Sequence, residues 1–115
     1  MRKIPYHYSK IPNVVLENRR LSPSAKLTFV YLLERESLLV SLGECSSGGW
    51  FPASYEAMAS PLGVKAQSVG RNYVPQLVEA GLIETKTEQG FDRKQWIPKK
   101  TCMYRILWDN ILNNQ

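Results

Sequence analysis

Histidine occurs once (His7) and cysteine twice (Cys45 and Cys102) in this chain. Three such widely separated residues cannot build a tetrahedral zinc site. They also exclude a disulfide framework and point to two reduced thiols in a cytoplasmic protein. No apolar run approaches the roughly 18 residues that a membrane span needs. Met1 to Lys10 has no apolar h-region, so no signal peptide is expected. There is no phosphate-cradling glycine-rich loop, and no base is spaced to activate Ser22 or either thiol. The sequence therefore reads as non-enzymatic, with no metal, cofactor, membrane or small-molecule substrate expected.

What remains is ordinary for a globular fold: 115 residues, 43% hydrophobic and 22% charged. That length suits a single domain able to bury a core without staples. The net charge is +5, unevenly spread. Residues 1–36 carry +4, residues 37–80 carry −1 and residues 81–115 carry +2. Basic clustering favours a polyanionic partner, although a solvated basic surface would give the same total.

Pro5 and Pro12 argue against a helix through residues 1–21, which read as an extended arm. Leu21-Ser22-Pro23 signals a helix start, with Ser22 as N-cap, Pro23 at the first helical position and Leu21 stapled to Lys26 or Leu27. The helix from Pro23 to about Glu36 is apolar nearly all round, as in a central core helix buried on several sides. Its sharper reading is that part of it is a partner surface. Leu38, Leu39, Val40 and Leu42 continue the apolar pattern, and Gly48-Gly49 breaks it. Trp50-Phe51 suits a short strand ended by Pro52. Ser54 caps a second helix, whose stripe is Tyr55, Met58, Ala59 and Leu62. A turn at Gly63-Val64 leads to a third helix, about 65–80, which stops at Gly81. Residues 82–87 and 101–107 read as a hairpin with a polar tip around Gly90. A short tail, 108–115, is expected to be helical from Asp109 to Asn114.

Two helices joined by a glycine-containing turn and followed by a basic hairpin outline a winged helix-turn-helix. The stretch Ile11-Pro-Asn-Val-Val-Leu-Glu-Asn-Arg-Arg-Leu-Ser-Pro-Ser-Ala-Lys-Leu resembles the opening of plasmid and phage replication initiator proteins. Gly49-Trp-Phe-Pro-Ala-Ser-Tyr-Glu-Ala-Met-Ala is similar to that family's second-helix entry. Leu62-Gly-Val-Lys and Leu77-Val-Glu-Ala-Gly-Leu-Ile-Glu resemble its recognition helix and strand start. The likeness spans about residues 10–107. It implies an α+β winged helix-turn-helix over 22–107, with three core helices, a C-terminal β-hairpin wing and an N-terminal extended arm. It also implies sequence-specific binding of double-stranded DNA, at a replication origin or an operator. A small transcriptional regulator of a mobile-element operon shares that chemistry. A winged-helix protein-interaction module is the alternative from a different class. A homodimer on paired half-sites stays open, since the sequence holds no zipper.

On the third helix, Val69 and Tyr73 share the core face, and Gln67 and Arg71 lie nearly opposite. Gln can bond adenine, and Arg guanine, through two groups at once, so this pair is placed on base edges in the major groove. Ser68 and Asn72 flank the pair. Lys65 begins the helix, where phosphate is favoured. The wing, 88–100, offers Arg93, Lys94, Lys99 and Lys100 to phosphates or a minor groove, with Trp96 packed against its base. Arg2, Lys3, Arg19 and Arg20 are candidate arm contacts; a solvated tail would look the same. Gly70 is a poor helix former. It marks close backbone approach to DNA or another helix, or a tolerated change. On an ideal helix Leu77 lies about 80° from Val69, while polar Gln76 takes the core-facing slot. One extra residue near Val74-Pro75 would return Leu77 to the core, so a kink or π-bulge is expected there.

Overall fold

The computed structural model describes residues 12–92 and 97–112, with side chains described at 12–89 and 100–112. Its elements run in the order α1 (Asn13–Leu16), α2 (Pro23–Ser41), β1 (Phe51–Pro52), α3 (Tyr55–Leu62), α4 (Ala66–Ser68), a π turn (Val69–Tyr73), α5 (Val74–Glu79), β2 (Ile83–Asp92), β3 (Ile97–Ile106) and α6 (Trp108–Leu112). The fold is α+β, with helices packed against one end of an antiparallel sheet ordered β1-β3-β2.

The expected extended arm is interrupted by α1. Proline forbids a helix running through it, yet Pro12 stands at the N-cap, where the Val15 and Leu16 N–H groups both donate to its carbonyl at 3.0 Å. A helix beginning after a proline has no ring clash to absorb. Val15 is fully buried and Leu21 nearly so. This stretch therefore belongs to the core.

Helix α2 starts as its sequence demands. The Ala25 N–H donates to Ser22 Oγ at 3.2 Å, and Pro23 occupies the first turn. It runs five residues beyond Glu36 because no breaker intervenes before Gly43. There φ is +75°, and the Glu44 N–H reaches back to the Leu39 carbonyl. That left-handed closure is open to glycine at little cost. Ala25, Thr28, Phe29, Leu32, Glu36 and Leu39 are its buried residues. Burial is thus one-sided, contrary to the expectation from its apolar composition. Leu27 is 55% exposed and does not act as a staple.

Glu36 is only 3% exposed. Its carboxylate accepts the Trp108 Nε1–H at 2.9 Å and the Gly48 N–H at 3.1 Å. Buried charge needs such donors, because nothing else replaces its water. Glu36 thereby ties the 43–49 loop and α6 to α2. Residues Trp108–Leu112 form a docked helix, with Ile111 fully buried and the Asn110 side-chain amide donating to the Gly81 carbonyl at 2.8 Å.

Phe51 pairs with Tyr104 across β1 and β3, and both side chains are fully buried. β2 and β3 pair without interruption from Ile83↔Ile106 to Asp92↔Ile97. Gly90 therefore lies within the ladder opposite Lys99, not at the tip. Alternation explains the longer strands: Ile83 and Ile106 face the core, and Glu84 and Arg105 pair on the other face.

The third helix contains the expected extra residue. Residues Val69–Tyr73 form a π turn, and the Val74 N–H donates to the Val69 carbonyl five residues back. It lies just before Val74-Pro75. Pro75 has no N–H to give, so a regular helix would already lack a bond there. The widened turn brings Val69, Val74 and Leu77 all into the core. Gln76 is half-buried, and its Oε1 accepts the Ser22 N–H at 2.9 Å, which explains a polar residue on the inner side. The helix ends with the Gly81 and Leu82 N–H groups returning to the Val78 and Leu77 carbonyls.

Gly70 resolves toward helix contact. A Cβ placed there would lie 2.7 Å from the Tyr55 ring of α3. Alanine in a helix ordinarily gains about 1 kcal/mol over glycine. Here the clash reverses the sign, and Gly70→Ala is expected to lower stability by about 1–3 kcal/mol. In a Tyr55→Ala background the same change should stabilise. Denaturant unfolding of the four chains checks this, and an unconditional gain from Gly70→Ala would contradict it.

Candidate nucleic-acid interface

Helix α3 packs against α4 and the π turn, and α2 packs against the π turn and α5. The apex between α3 and α4 is fixed by Gly63 at φ +67°, with the Val64 N–H on the Ala59 carbonyl. α3 itself is capped by Ser54, whose Oγ accepts the Ala57 N–H at 3.1 Å. Met58 and Ala59 are buried, and Tyr55 and Leu62 are half-buried, along the predicted stripe.

This packing leaves one side of the third helix in solvent. Lys65, Gln67, Arg71 and Asn72 are all exposed, and Ser68 is half-buried. Val69 on the opposite side has no exposure, and Tyr73 is half-buried. Four of the five candidate residues of this helix are therefore accessible, and Ser68 is partly so. Among the described residues, Lys65 and Arg71 have no ion-pair partner. Lys65 is also the N-cap of α4, without a side-chain cap.

The hairpin candidates divide. Arg93, Lys94 and Trp96 lie outside the described residues, as do Arg2 and Lys3. Lys99 pairs with Gly90 and Lys100 with Gln89. Lys100 is exposed and stands beside Arg35, Tyr31 and Tyr55 at the rim of a groove of about 450 Å³. Arg35 was not singled out from sequence, because only the pairing of β1 with β3 brings it near the hairpin. Arg19 and Arg20 are exposed in the bend between α1 and α2, where the Arg20 N–H donates to Asn18 Oδ1 at 2.9 Å.

Sequence reasoning also missed Trp50. Lys86 Nζ sits 4.4 Å, and the Arg105 guanidinium 5.2 Å, from its ring centroid. The attraction of a cation to the ring face orders this surface. Lys86 also pairs with Glu88 at 3.1 Å, and Arg105 pairs with Glu84. These two cations are therefore neutralised at home, unlike Lys65 and Arg71. A contact between Trp50, just before β1, Lys86 on β2 and Arg105 on β3 depends on register, and local sequence carries no signal for that.

Tyr55, Tyr104 and Cys45 are displaced upward. Burial raises the Tyr55 phenol, with Cys102 adding to it, and burial raises Tyr104, with Tyr55 adding. Burial and then the nearby Glu36 carboxylate raise the Cys45 thiol. Its Sγ–H donates to the Ser46 carbonyl at 3.1 Å. Both cysteines are free thiols. Among the described residues no three His, Cys, Asp or Glu side chains gather as a metal site, and no helix is long and apolar enough to cross a membrane.

Compared with protein-family models, curated proteins and solved structures, the chain matches none.

A raised pKa means less thiolate at any pH below it. In a Cys102→Ser background, alkylation of Cys45 should therefore reach its half-maximal rate at higher pH than in the unfolded chain. Glu36→Gln should move that midpoint down. A midpoint at or below the unfolded value would contradict the assignment.

Proposed function

We propose that the chain is a winged helix-turn-helix domain that binds double-stranded DNA sequence-specifically. The third helix, about 65–80, enters the major groove, and the hairpin, 88–100, lies along phosphates or in the minor groove. The carrying observation is the division of the third helix. Its inner side is buried through Val69, Val74 and Leu77, while Lys65, Gln67, Arg71 and Asn72 stand in solvent. Gln67 and Arg71 present two-pronged groups suited to adenine and guanine edges. Lys65 and Lys100 supply charge without sequence information.

The setting in which this binding acts is plasmid or phage replication initiation, a reading that rests on the residues quoted from 11–27, 49–59, 62–65 and 77–84. A transcriptional regulator would use the same surface. A protein-interaction role for the third helix is disfavoured by its polar outer side, since among the described residues it exposes one large apolar side chain, Val78, against Leu27, Leu38 and Val40 on α2.

The test has two arms. Duplexes recovered by selection from a random pool give a specific site, and affinity is then measured on that site and on random duplex across a salt series. Arg71→Ala should cost about 1–3 kcal/mol on the selected site and relax preference at one base. Lys100→Ala should weaken both duplexes about equally and lower the salt slope by about 1. Equal losses from Arg71→Ala on both duplexes would remove base reading from this face.

A further inference from the structure

Helix α2 is 19 residues long, and its core stripe occupies one side. At about 100° per residue, Leu27, Tyr31, Glu34, Leu38 and Leu42 fall within an arc of about 80°, with Arg35 at its edge. That arc is centred roughly 120° from the core stripe. Leu27, Leu38 and Leu42 are 55%, 50% and 62% exposed. Tyr31 and Arg35 are half-buried, and Glu34 is exposed. This stripe has a seam-like spacing of four, three, four and four residues, close to the alternation that lets two helices pack along one line.

With Arg35 included, the positions along it are symmetric about the step between residues 34 and 35. If a second α2 is laid antiparallel, Leu27 meets Leu42, Tyr31 meets Leu38, and Glu34 meets Arg35. Each contact occurs twice about a two-fold axis, as self-association of a closed pair requires. The central Glu34-Arg35 step also chooses direction. A parallel pair would set Glu34 against Glu34, whereas the antiparallel pair sets opposite charges together. A polar step inside an apolar seam fixes register in this way. Glu34 already has an interaction within its own chain, and the Arg35 Nε–H donates to the Pro52 carbonyl at 3.4 Å. A carboxylate and a guanidinium each have capacity for a further partner.

We infer that this stripe is a homodimer interface, formed by antiparallel packing of α2 against α2 of a second copy. The inference does not depend on DNA binding. It also gives the exposed Leu38 and Leu42 an apolar environment that the single chain withholds.

Sedimentation equilibrium of the full chain, with circular dichroism to confirm folding, tests it. The wild-type chain should reach twice its 13.2 kDa mass as concentration rises. Leu38→Glu should hold it at one mass. Glu34→Arg alone places like charges across the axis and should weaken the dimer, as should Arg35→Glu alone. Mixing these two single variants restores both opposite-charge contacts, so the mixture should dimerise. Glu34→Arg with Arg35→Glu in one chain should do the same. A wild-type chain that stays at one mass overturns the inference. So does a dimer indifferent to Leu38→Glu, or single charge variants whose mixture fails to recover.

Discussion

The third helix must serve two sides at once, and a single added residue in the turn Val69–Tyr73 makes this consistent. Without it Leu77 would turn away from the core that Val69 enters. With it Val69, Val74 and Leu77 point inward together, and the polar side from Lys65 to Asn72 stays in solvent. Helical widening of this kind has a cost, and local chemistry reduces it here. Pro75 has no N–H to lose, and Gly70 lets the backbone meet the Tyr55 ring. Two residues that look unfavourable one at a time are a matched pair.

Polar ties then hold the neighbouring segments to this helix and to α2. Gln76 receives the N–H of Ser22, so the third helix is bonded to the entry of α2. Glu36 receives donors from the 43–49 loop and from α6. Such groups are costly when left unmatched and directional when matched. They add direction to the apolar docking of α6 through Ile111 and hold the 43–49 loop against α2. The same ties leave the outer stripe of α2 and the outer side of the third helix uncovered.

Much of this was legible in the sequence because its signals are local. Ser22-Pro23, Ser54, Gly63 and Gly81 each mark a helix end by their own chemistry. The conflict between Leu77 and Val69 pointed to a kink or π-bulge near Val74-Pro75, and the π turn Val69–Tyr73 lies just before it. What was hidden depended on distant partners. Pro12 forbids a helix on one side only, and α1 lay on the other. The apolar excess of α2 could not reveal which side faces the core. Nothing local marks Glu36 for burial, because its donors, Gly48 and Trp108, come from distant segments. Trp50 acquired its role only once the strands were in register. For the proposed interface, residue types suggested Gln67 and Arg71, and both are exposed.

The direct measurement is an amide chemical-shift titration of the chain with mixed-sequence duplex DNA at low salt. The predicted result is a set of perturbations concentrated at Lys65, Gln67, Ser68, Arg71, Asn72 and Lys100, fading as salt is raised. The outer stripe of α2 should stay silent. Perturbations confined to α2, or none at all at low salt, would contradict a DNA-reading third helix.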